Sequence, residues 1–188
     1  MEFAMTLRFT TLALCCTAAL AACSPQPAAS DNHAASAVAA AASEAGSVTI
    51  DTARGEATVP ANPERIAVYD WGMLDTLGKL GVDVGATTTN IRLGYLQDAA
   101  RNMQPVGTLF EPDYEALHAF APQLIITGSR TAPAFEQLSK LAPTIEMTAD
   151  TTKMRESTEA RIDAFAKIFH KEAEAQALKK EIDESFPP

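Results

Sequence analysis

The hydrophobic pattern divides the chain into three stretches: an apolar run near the N-terminus, an alanine-rich stretch with almost no large apolar residues, and a mixed stretch from Ser47 onward. At the start of the mixed stretch, residues 48–51 alternate apolar and polar positions, and residues 56–60 continue the alternation after a short polar turn. Alternation on both sides of a short turn is typical of a β-hairpin. We therefore expect the folded part of the chain to begin with a hairpin.

After this hairpin, short apolar runs alternate with segments that have helical spacing. The pattern predicts strands at 66–69, 84–87, 104–108, 123–127 and 144–147, and helices at 73–80, 94–102, 113–120 and 133–141. Asp113 is the expected N-cap of the third helix. Strands that alternate with helices favour a mostly parallel sheet flanked by helices. The expected fold class is therefore α/β.

The last part of the mixed stretch, residues 152–186, has a different pattern. It contains almost no helix breakers and is rich in Ala, Glu and Lys. Ile162, Phe165, Ala166 and Phe169 recur at the three- and four-residue spacing of one helix face. We expect one long helix here, which needs another surface to pack against because long helices owe most of their stability to packing.

The N-terminal apolar run has the features of a bacterial lipoprotein signal peptide. The run over residues 12–20 is too short to span a bilayer but has the length of a signal-peptide core. It ends in Leu20-Ala21-Ala22-Cys23, which resembles a lipobox. We predict that residues 1–22 are a signal peptide and that Cys23 carries the lipid. The alternative is an ordinary signal peptide followed by an incidental cysteine.

The alanine-rich stretch is predicted to be a flexible tether. Residues 24–46 consist mainly of Ala, Ser, Pro and other small or polar residues. Without large apolar side chains, the stretch cannot bury enough surface to offset the entropy of ordering its backbone. We therefore expect residues 23–46 to link a lipid anchor at Cys23 to the folded part.

Composition and charge exclude several classes of protein. Of the 188 residues, 47% are hydrophobic and 21% charged, which excludes a fully disordered chain and a polytopic membrane protein. The formal net charge is −9, so broad binding to nucleic-acid phosphates is disfavoured. An anionic ligand would have to be met by local arginines, because the net field repels it.

Candidate binding residues follow the predicted strands. In an open parallel sheet, ligands bind beyond the carboxyl ends of the strands. The loops there contain Trp71, Arg92, Glu111 and Arg130, with Phe110 beside Glu111. Arg130 follows a buried strand and could make charge-assisted hydrogen bonds to an anion; a solvated or ion-paired arginine is the alternative. We expect this edge to receive an aromatic, anionic ligand.

Catalytic and cofactor motifs are absent from the sequence. It has no G-x-S-x-G, H-E-x-x-H, P-loop or G-x-G-x-x-G pattern. Asp70, Asp75 and Glu111 could pair for acid–base chemistry, but their spacing does not require it. We therefore predict no catalytic residue, no metal site and no cofactor. A small lipid-anchored enzyme is the alternative from another functional class.

Several blocks of residues resemble the iron-siderophore periplasmic binding proteins. The first covers residues 59–82 and includes the run VPANPERIAVYDWG. The second covers residues 106–126 with VGTLFEPDYEAL and APQLII, and Gly128-Ser129-Arg130 and LAPT at 141–144 follow it. Together these blocks cover nearly all of residues 48–147, in order. Within the family, the chain most resembles the catecholate-siderophore-binding lipoproteins, such as that of the neisserial ferric-enterobactin uptake system.

The resemblance implies a fold, a function and roles for particular residues. The family folds as two α/β lobes joined by a long helix, and clamps a ferric siderophore for an ABC importer of the inner membrane. Arg130 resembles the arginine of the N-terminal lobe that holds the anionic ferric catecholate, and Trp71, Arg92 and Glu111 would line the same cleft. Glu115 resembles the acid that docks this lobe onto permease arginines. A solvated helix acid is the alternative for Glu115.

The resemblance covers one lobe of the family's two. Residues 47–150 correspond to the N-terminal lobe and residues 151–188 to the inter-lobe helix, cut off at its end. We therefore expect this chain alone to bind ferric siderophore poorly, because half of the anion's charge would stay unpaired. The implied location is the periplasm, as a lipid-anchored monomer. The alternatives are a haem or cobalamin receptor of the same fold and a non-functional truncated product.

Overall fold

The computed structural model describes residues 46–186. The predicted signal peptide, the lipidated Cys23 and all but the last residue of the predicted tether lie outside these described residues. The described part begins with an antiparallel hairpin of β1 (Ser47–Thr52) and β2 (Gly55–Pro60), which confirms the first prediction. Ile50 and Val59 are its buried side chains and join the main core.

Five short parallel strands form the central sheet. They are β3 (Ile66–Val68), β4 (Ala86–Thr87), β5 (Gln104–Pro105), β6 (Leu124–Thr127) and β7 (Thr144–Glu146). Their order is β5-β4-β3-β6-β7, and each neighbouring pair is parallel. The central strands β3 and β6 are buried along their whole length, as expected for strands covered on both faces. The sheet confirms the predicted α/β class.

Within residues 46–186, six α-helices connect the strands or cover them. They are α1 (Trp71–Lys79), α2 (Gly94–Ala100), α3 (Tyr114–Phe120), α4 (Phe135–Leu138), α5 (Met154–Phe169) and α6 (Glu172–Ser185). Asp113 caps α3 as predicted, because its carboxylate accepts the backbone N–H of Ala116 at 2.9 Å. The helix predicted over 133–141 is shorter, a 3-10 turn at Ala132–Ala134 followed by α4. Within the described range, no helix is both long and apolar enough to cross a bilayer.

Two apolar cores lie on opposite faces of the sheet. On one face, α1, α2, α5 and the hairpin pack against β3, β6 and β7, with Phe165 of α5 fully buried. On the other face, α3 and α4 pack through Leu117 and Leu138 against Tyr69 and Ile125. Since the sheet is covered on both faces, its open surface is at the ends of the strands.

The prediction of one continuous helix over residues 152–186 is wrong. Helix α5 ends at Phe169, and His170 adopts the left-handed conformation with φ 55°. Helix α6 then runs back along α5, since Lys179 contacts Asp163 at 2.5 Å. The sequence hides this break because the turn contains neither Gly nor Pro. The reversal buries Ala175 and packs the apolar side of α6 on the core.

Candidate functional site

The order of the strands reverses between β3 and β6. The connection after β3 leads to β4 on one side, and the connection after β6 leads to β7 on the other. A crevice forms where two such connections part, outside the carboxyl ends of the strands. Asp70 and Gly128 line this crevice in van der Waals contact: a Cβ on Gly128 would lie 2.6 Å from Oδ2 of Asp70. A side chain at 128 would force the Asp70 carboxylate to move.

The four predicted binding residues follow four neighbouring strands at this crevice. Across the sheet from β5 to β6, the order is Glu111, Arg92, Trp71 and Arg130. Neighbouring strands lie about 4.8 Å apart, so the strand ends that carry the four loops span roughly 15 Å. The three charged residues are exposed, and none of them forms an ion pair with another described residue. Arg130 therefore keeps its hydrogen-bond donors for a ligand.

Trp71 is fixed at the first turn of α1. Its indole Nε1–H donates to Oγ1 of Thr88 at 3.0 Å, which ties the loop after β3 to the loop after β4. Part of the ring packs against the core, and part of it remains accessible. Asp70 holds the start of the same helix, because its Oδ1 accepts the N–H of Met73 at 3.0 Å. The crevice thus has a rigid aromatic wall.

The loop after β5 displays a second aromatic side chain. Thr108 N–H donates to the Glu111 carbonyl at 2.9 Å, and Oγ1 of Thr108 accepts the Glu111 N–H at 3.0 Å. These bonds close a tight turn with Phe110 at its tip, 70% exposed. Gly107 enters the turn with φ 98°, which is accessible to glycine and strained for other residues. An exposed phenylalanine at a strand-end crevice is available for an apolar or aromatic contact.

Thr131 connects the loops that carry the candidate residues, a role that no sequence pattern indicated. Its fully buried hydroxyl lies 2.6 Å from the carbonyl of Leu109 and 3.3 Å from that of Tyr69. These contacts join the loops after β3, β5 and β6. Because Thr131 follows Arg130 and Leu109 precedes Phe110, the hydroxyl holds the loop of the arginine against the loop of the aromatic.

Arg54 of the hairpin contacts the segment that follows the Arg130 loop. The Nε–H of Arg54 donates to Oε2 of Glu146 at 2.7 Å, and the guanidinium lies 4.0 Å from the centre of the Phe135 ring. Its Nη2 also reaches the Ala132 carbonyl at 3.4 Å. Residues 132–135 directly follow the Arg130 loop, so Arg54 ties the hairpin to the base of that loop.

Replacing Arg54 is expected to loosen this connection. Arg54→Gln removes the ion pair to Glu146 and the cation–π contact, and should lower the free energy of unfolding by about 1–2 kcal/mol. Arg54→Lys keeps the charge and should lose roughly half as much. Urea unfolding followed by circular dichroism measures both values. The control is Arg101→Gln, which breaks only the exposed pair with Asp98 and should change the free energy of unfolding by less than about 0.5 kcal/mol. If Arg54→Gln and Arg101→Gln lost the same free energy of unfolding, the prediction would be contradicted.

The crevice shows no arrangement for acid–base catalysis. Burial raises the pKa of Tyr69, whose hydroxyl donates to the Val106 carbonyl at 2.8 Å in the core. This tyrosine therefore stays neutral and acts as a structural link. Among the described residues, no three His, Cys, Asp or Glu side chains are grouped so that they could hold a metal ion. The arrangement favours binding through arginine and aromatic side chains.

Glu115 lies apart from these residues, in the first turn of α3. Its side chain is exposed, and Tyr114 next to it is 41% exposed. The structure therefore leaves the carboxylate accessible from outside the lobe. The docking role of Glu115 stays a prediction.

Known proteins resemble this chain in sequence. The petrobactin-binding protein YclQ of Bacillus subtilis is 37% identical over 131 residues, which are 68% of this chain and 41% of YclQ. The Fe(3+)-citrate-binding protein YfmC of the same organism is 35% identical over 132 residues, 68% of this chain and 38% of YfmC. The chain thus spans about two fifths of the length of these relatives.

Solved structures show the same fold. The crystal structure of YclQ matches with a TM-score of 0.71 at 34% identity and covers 74% of this chain and 51% of its own. The periplasmic catecholate-siderophore binding protein VctP from Vibrio cholerae matches with a TM-score of 0.69 at 30% identity, over 73% of this chain and 50% of its own. These relatives are binding proteins, which confirms the prediction that the chain is not an enzyme. The family model described as "Periplasmic binding protein" matches residues 66–188, and the chain belongs to this family.

Proposed function

We propose that the chain is part of the substrate-binding component of an ABC importer that takes up ferric siderophores. The observation that carries the proposal is Arg130, an exposed guanidinium without an ion pair among the described residues, which follows a central strand at the crevice. The names of YclQ and YfmC, a petrobactin-binding and a ferric-citrate-binding protein, support iron chelates as the ligand class. They do not favour haem or cobalamin, the alternatives within this fold.

Within this class, the geometry favours an Fe(III)-catecholate complex. Such a complex combines flat aromatic rings with a net negative charge. Trp71 and Phe110 offer aromatic surfaces at the crevice, and Arg130 and Arg92 offer charge-assisted hydrogen bonds to phenolate oxygens. The likeness to the catecholate-siderophore binding protein VctP supports this preference. Glu111, which is negative, would accept hydrogen bonds from amide groups of the ligand.

The proposal extends to how the ligand is delivered. A siderophore bound in the periplasm is imported only if the protein that carries it docks on a permease. We propose that Glu115 makes an ion pair with a permease arginine, as an exposed acid beside a half-exposed tyrosine suits an interface rim. We also propose that Cys23 carries the lipid that holds the protein at a membrane of the periplasm.

A fluorescence titration tests the ligand class. Trp71 is the only tryptophan of the chain and lies at the crevice, so its emission reports binding there directly. We expect a ferric catecholate complex to quench it saturably with a Kd in the micromolar range or weaker, because one lobe leaves part of the charge unpaired. Arg130→Gln should weaken binding about tenfold, the loss of a charge-assisted hydrogen bond at an exposed site.

The control variant is Arg65→Gln at the opposite end of the sheet. Arg65 precedes β3, and its Nε–H donates to the Ala121 carbonyl at 2.8 Å. We expect it to leave the affinity for the catecholate complex unchanged. Tighter binding of haem or of ferric citrate than of the ferric catecholate would contradict the proposed ligand, and equal affinities of the two arginine variants would contradict the role of Arg130. Sub-micromolar affinity would contradict the expectation that this chain alone binds poorly.

A further inference from the structure

A second concave surface lies beside the hairpin. A pocket of about 790 Å³ is enclosed by the β1–β2 hairpin, the segment that follows β7 and one face of α5. Neither Trp71, Arg92, Glu111 nor Arg130 lines it. The pocket is therefore separate from the proposed siderophore site. Its volume is within the range of small-molecule sites.

The wall of this pocket contains a half-buried arginine without an ion pair among the described residues. Arg161 of α5 lines the pocket, and its Nε is the one buried side-chain nitrogen or oxygen without a hydrogen-bond partner among residues 46–186. Burial lowers the pKa of Arg161, and the charge of Asp70 acts in the opposite direction. The guanidinium remains protonated at neutral pH, because arginine does not lose its proton in proteins. The charge has no ion-pair partner among the described residues, and an oxyanion in the pocket would compensate it.

A hydroxyl on the same face of α5 offers a second donor. Ser157 precedes Arg161 by four residues, so the two side chains are neighbours on the helix surface, and both line the pocket. Oγ of Ser157 accepts the Asp150 N–H at 2.8 Å, whereas its own hydrogen has no acceptor among the described residues. Ala160 and Ala164, also in the lining, leave open space between α5 and the hairpin.

Several charged groups surround the two donors. Asp163 is paired with Lys179, Asp150 accepts the N–H and hydroxyl of Thr152, and Lys167 donates to the Thr49 carbonyl at 2.6 Å. Their charges are thus compensated or their hydrogen bonds satisfied locally. The remaining acids of the lining, Asp51 and Glu56, are exposed on the hairpin and have no ion pair among the described residues. They repel multiply charged anions, so the pocket suits a ligand with one negative group.

We propose that this pocket binds a small ligand through one carboxylate, held by the Arg161 guanidinium and the Ser157 hydroxyl. A carboxylate in the pocket would accept N–H bonds from the Nη groups of the guanidinium, which form no ion pair with a described residue. A further bond comes from the hydroxyl, whose oxygen stays bound to the Asp150 N–H. None of the four candidate residues of the crevice lines this pocket, so the site is tested without a siderophore, and its one link to the crevice is the charge of Asp70 on Arg161.

Nuclear magnetic resonance on the arginine side chains tests this site directly. In the ¹⁵N-labelled full chain, sodium acetate is titrated while sodium chloride keeps the ionic strength constant. We expect the Nε–Hε signal of Arg161 to move saturably, with a Kd on the order of 1–10 mM. Citrate, which is multiply charged, should bind more weakly. The acetate titration contains no iron complex, so a negative result leaves the siderophore proposal unaffected. A negative fluorescence titration with the ferric catecholate likewise leaves the acetate site unaffected.

Three variants assign the signal and test the two donors. Arg161→Gln should remove the signal, and Arg155→Gln, on the same helix but outside the pocket, should leave the acetate response intact. Ser157→Ala, which is compatible with the helix, should weaken acetate about threefold to tenfold. A signal that does not saturate or moves equally with chloride alone overturns the proposal. A Ser157→Ala chain that binds acetate as tightly as the parent overturns the two-donor site, even if Arg161→Gln fails to fold.

Discussion

Gly107→Ala is expected to lower the free energy of unfolding by about 4 kcal/mol. The φ of Gly107 is 98°, which strains any residue with a Cβ by about 1–3 kcal/mol. The added Cβ would also lie 2.4 Å from both the Asp113 nitrogen and the Glu111 oxygen. These are backbone atoms, so the turn has to open to relieve the clash. Opening it breaks the bonds from Thr108 to Glu111 and from Asp113 to Val106, at about 1 kcal/mol each.

Urea unfolding measures this loss, with a second glycine as the matched control. Gly78 lies within α1, and a Cβ there would meet no atom within 4 Å. Gly78→Ala should therefore raise the free energy of unfolding by about 0.5–1 kcal/mol, the helix propensity difference between the two residues. A Gly107→Ala chain within 1 kcal/mol of the parent would show that the turn accommodates a side chain and would contradict the expected strain.

Thr131→Val is expected to lower the free energy of unfolding by about 2–3 kcal/mol. The substitution keeps the shape of the side chain and removes the hydroxyl that donates to the Leu109 carbonyl at 2.6 Å. The carbonyl is then left without this donor in a buried setting, which costs more than the hydrogen bond itself contributed. Because Leu109 and Thr131 flank Phe110 and Arg130, the two loops should also separate more often.

Two measurements distinguish the stability effect from the effect on the loops. Urea unfolding gives the loss of stability, and amide hydrogen exchange at Phe110 reports how often the loop after β5 opens. Thr131→Ser retains the hydroxyl and loses only a methyl group, so it should lose about 1 kcal/mol and exchange at nearly the parent rate. If the Val and Ser variants were equally stable, the hydroxyl would not be what joins the loops.

The fold was predictable from sequence where the hydrophobic pattern is local. Residues 124–126 form a continuous apolar run within the strand predicted at 123–127, and the structure shows β6 (Leu124–Thr127) there, buried on both faces. The capping role of Asp113 was also predictable, because an N-cap depends on the residue and the three that follow it. The turn at His170 was not, since residues other than glycine seldom take the left-handed conformation and the residue type does not announce it.

The position of the candidate residues in the fold was predictable, whereas the contacts between their loops were not. Trp71 and Arg130 follow predicted strands, so topology alone places them at one edge of the sheet. The linking role of Thr131 was not predictable, because its partners are carbonyls far away in sequence, at Tyr69 and Leu109. Arg161 was equally inconspicuous, since a basic residue in a charged helix normally faces water. Both roles depend on contacts between segments that are far apart in sequence, and the pattern of hydrophobic and polar residues does not reveal such contacts.

The strands that lead to the crevice differ in length, and this difference should affect how easily the loops that follow them open. Strands β4 and β5 are two residues long, whereas β6 has four residues, all of them buried. Few ladder bonds and little buried surface make a segment open locally at low free energy. The loops of Arg92 and Glu111 follow the short strands, and Arg130 follows the long one. The loop of Arg92 is therefore expected to open more readily than the loop of Arg130, so that side of the crevice can adapt to the size of a ligand.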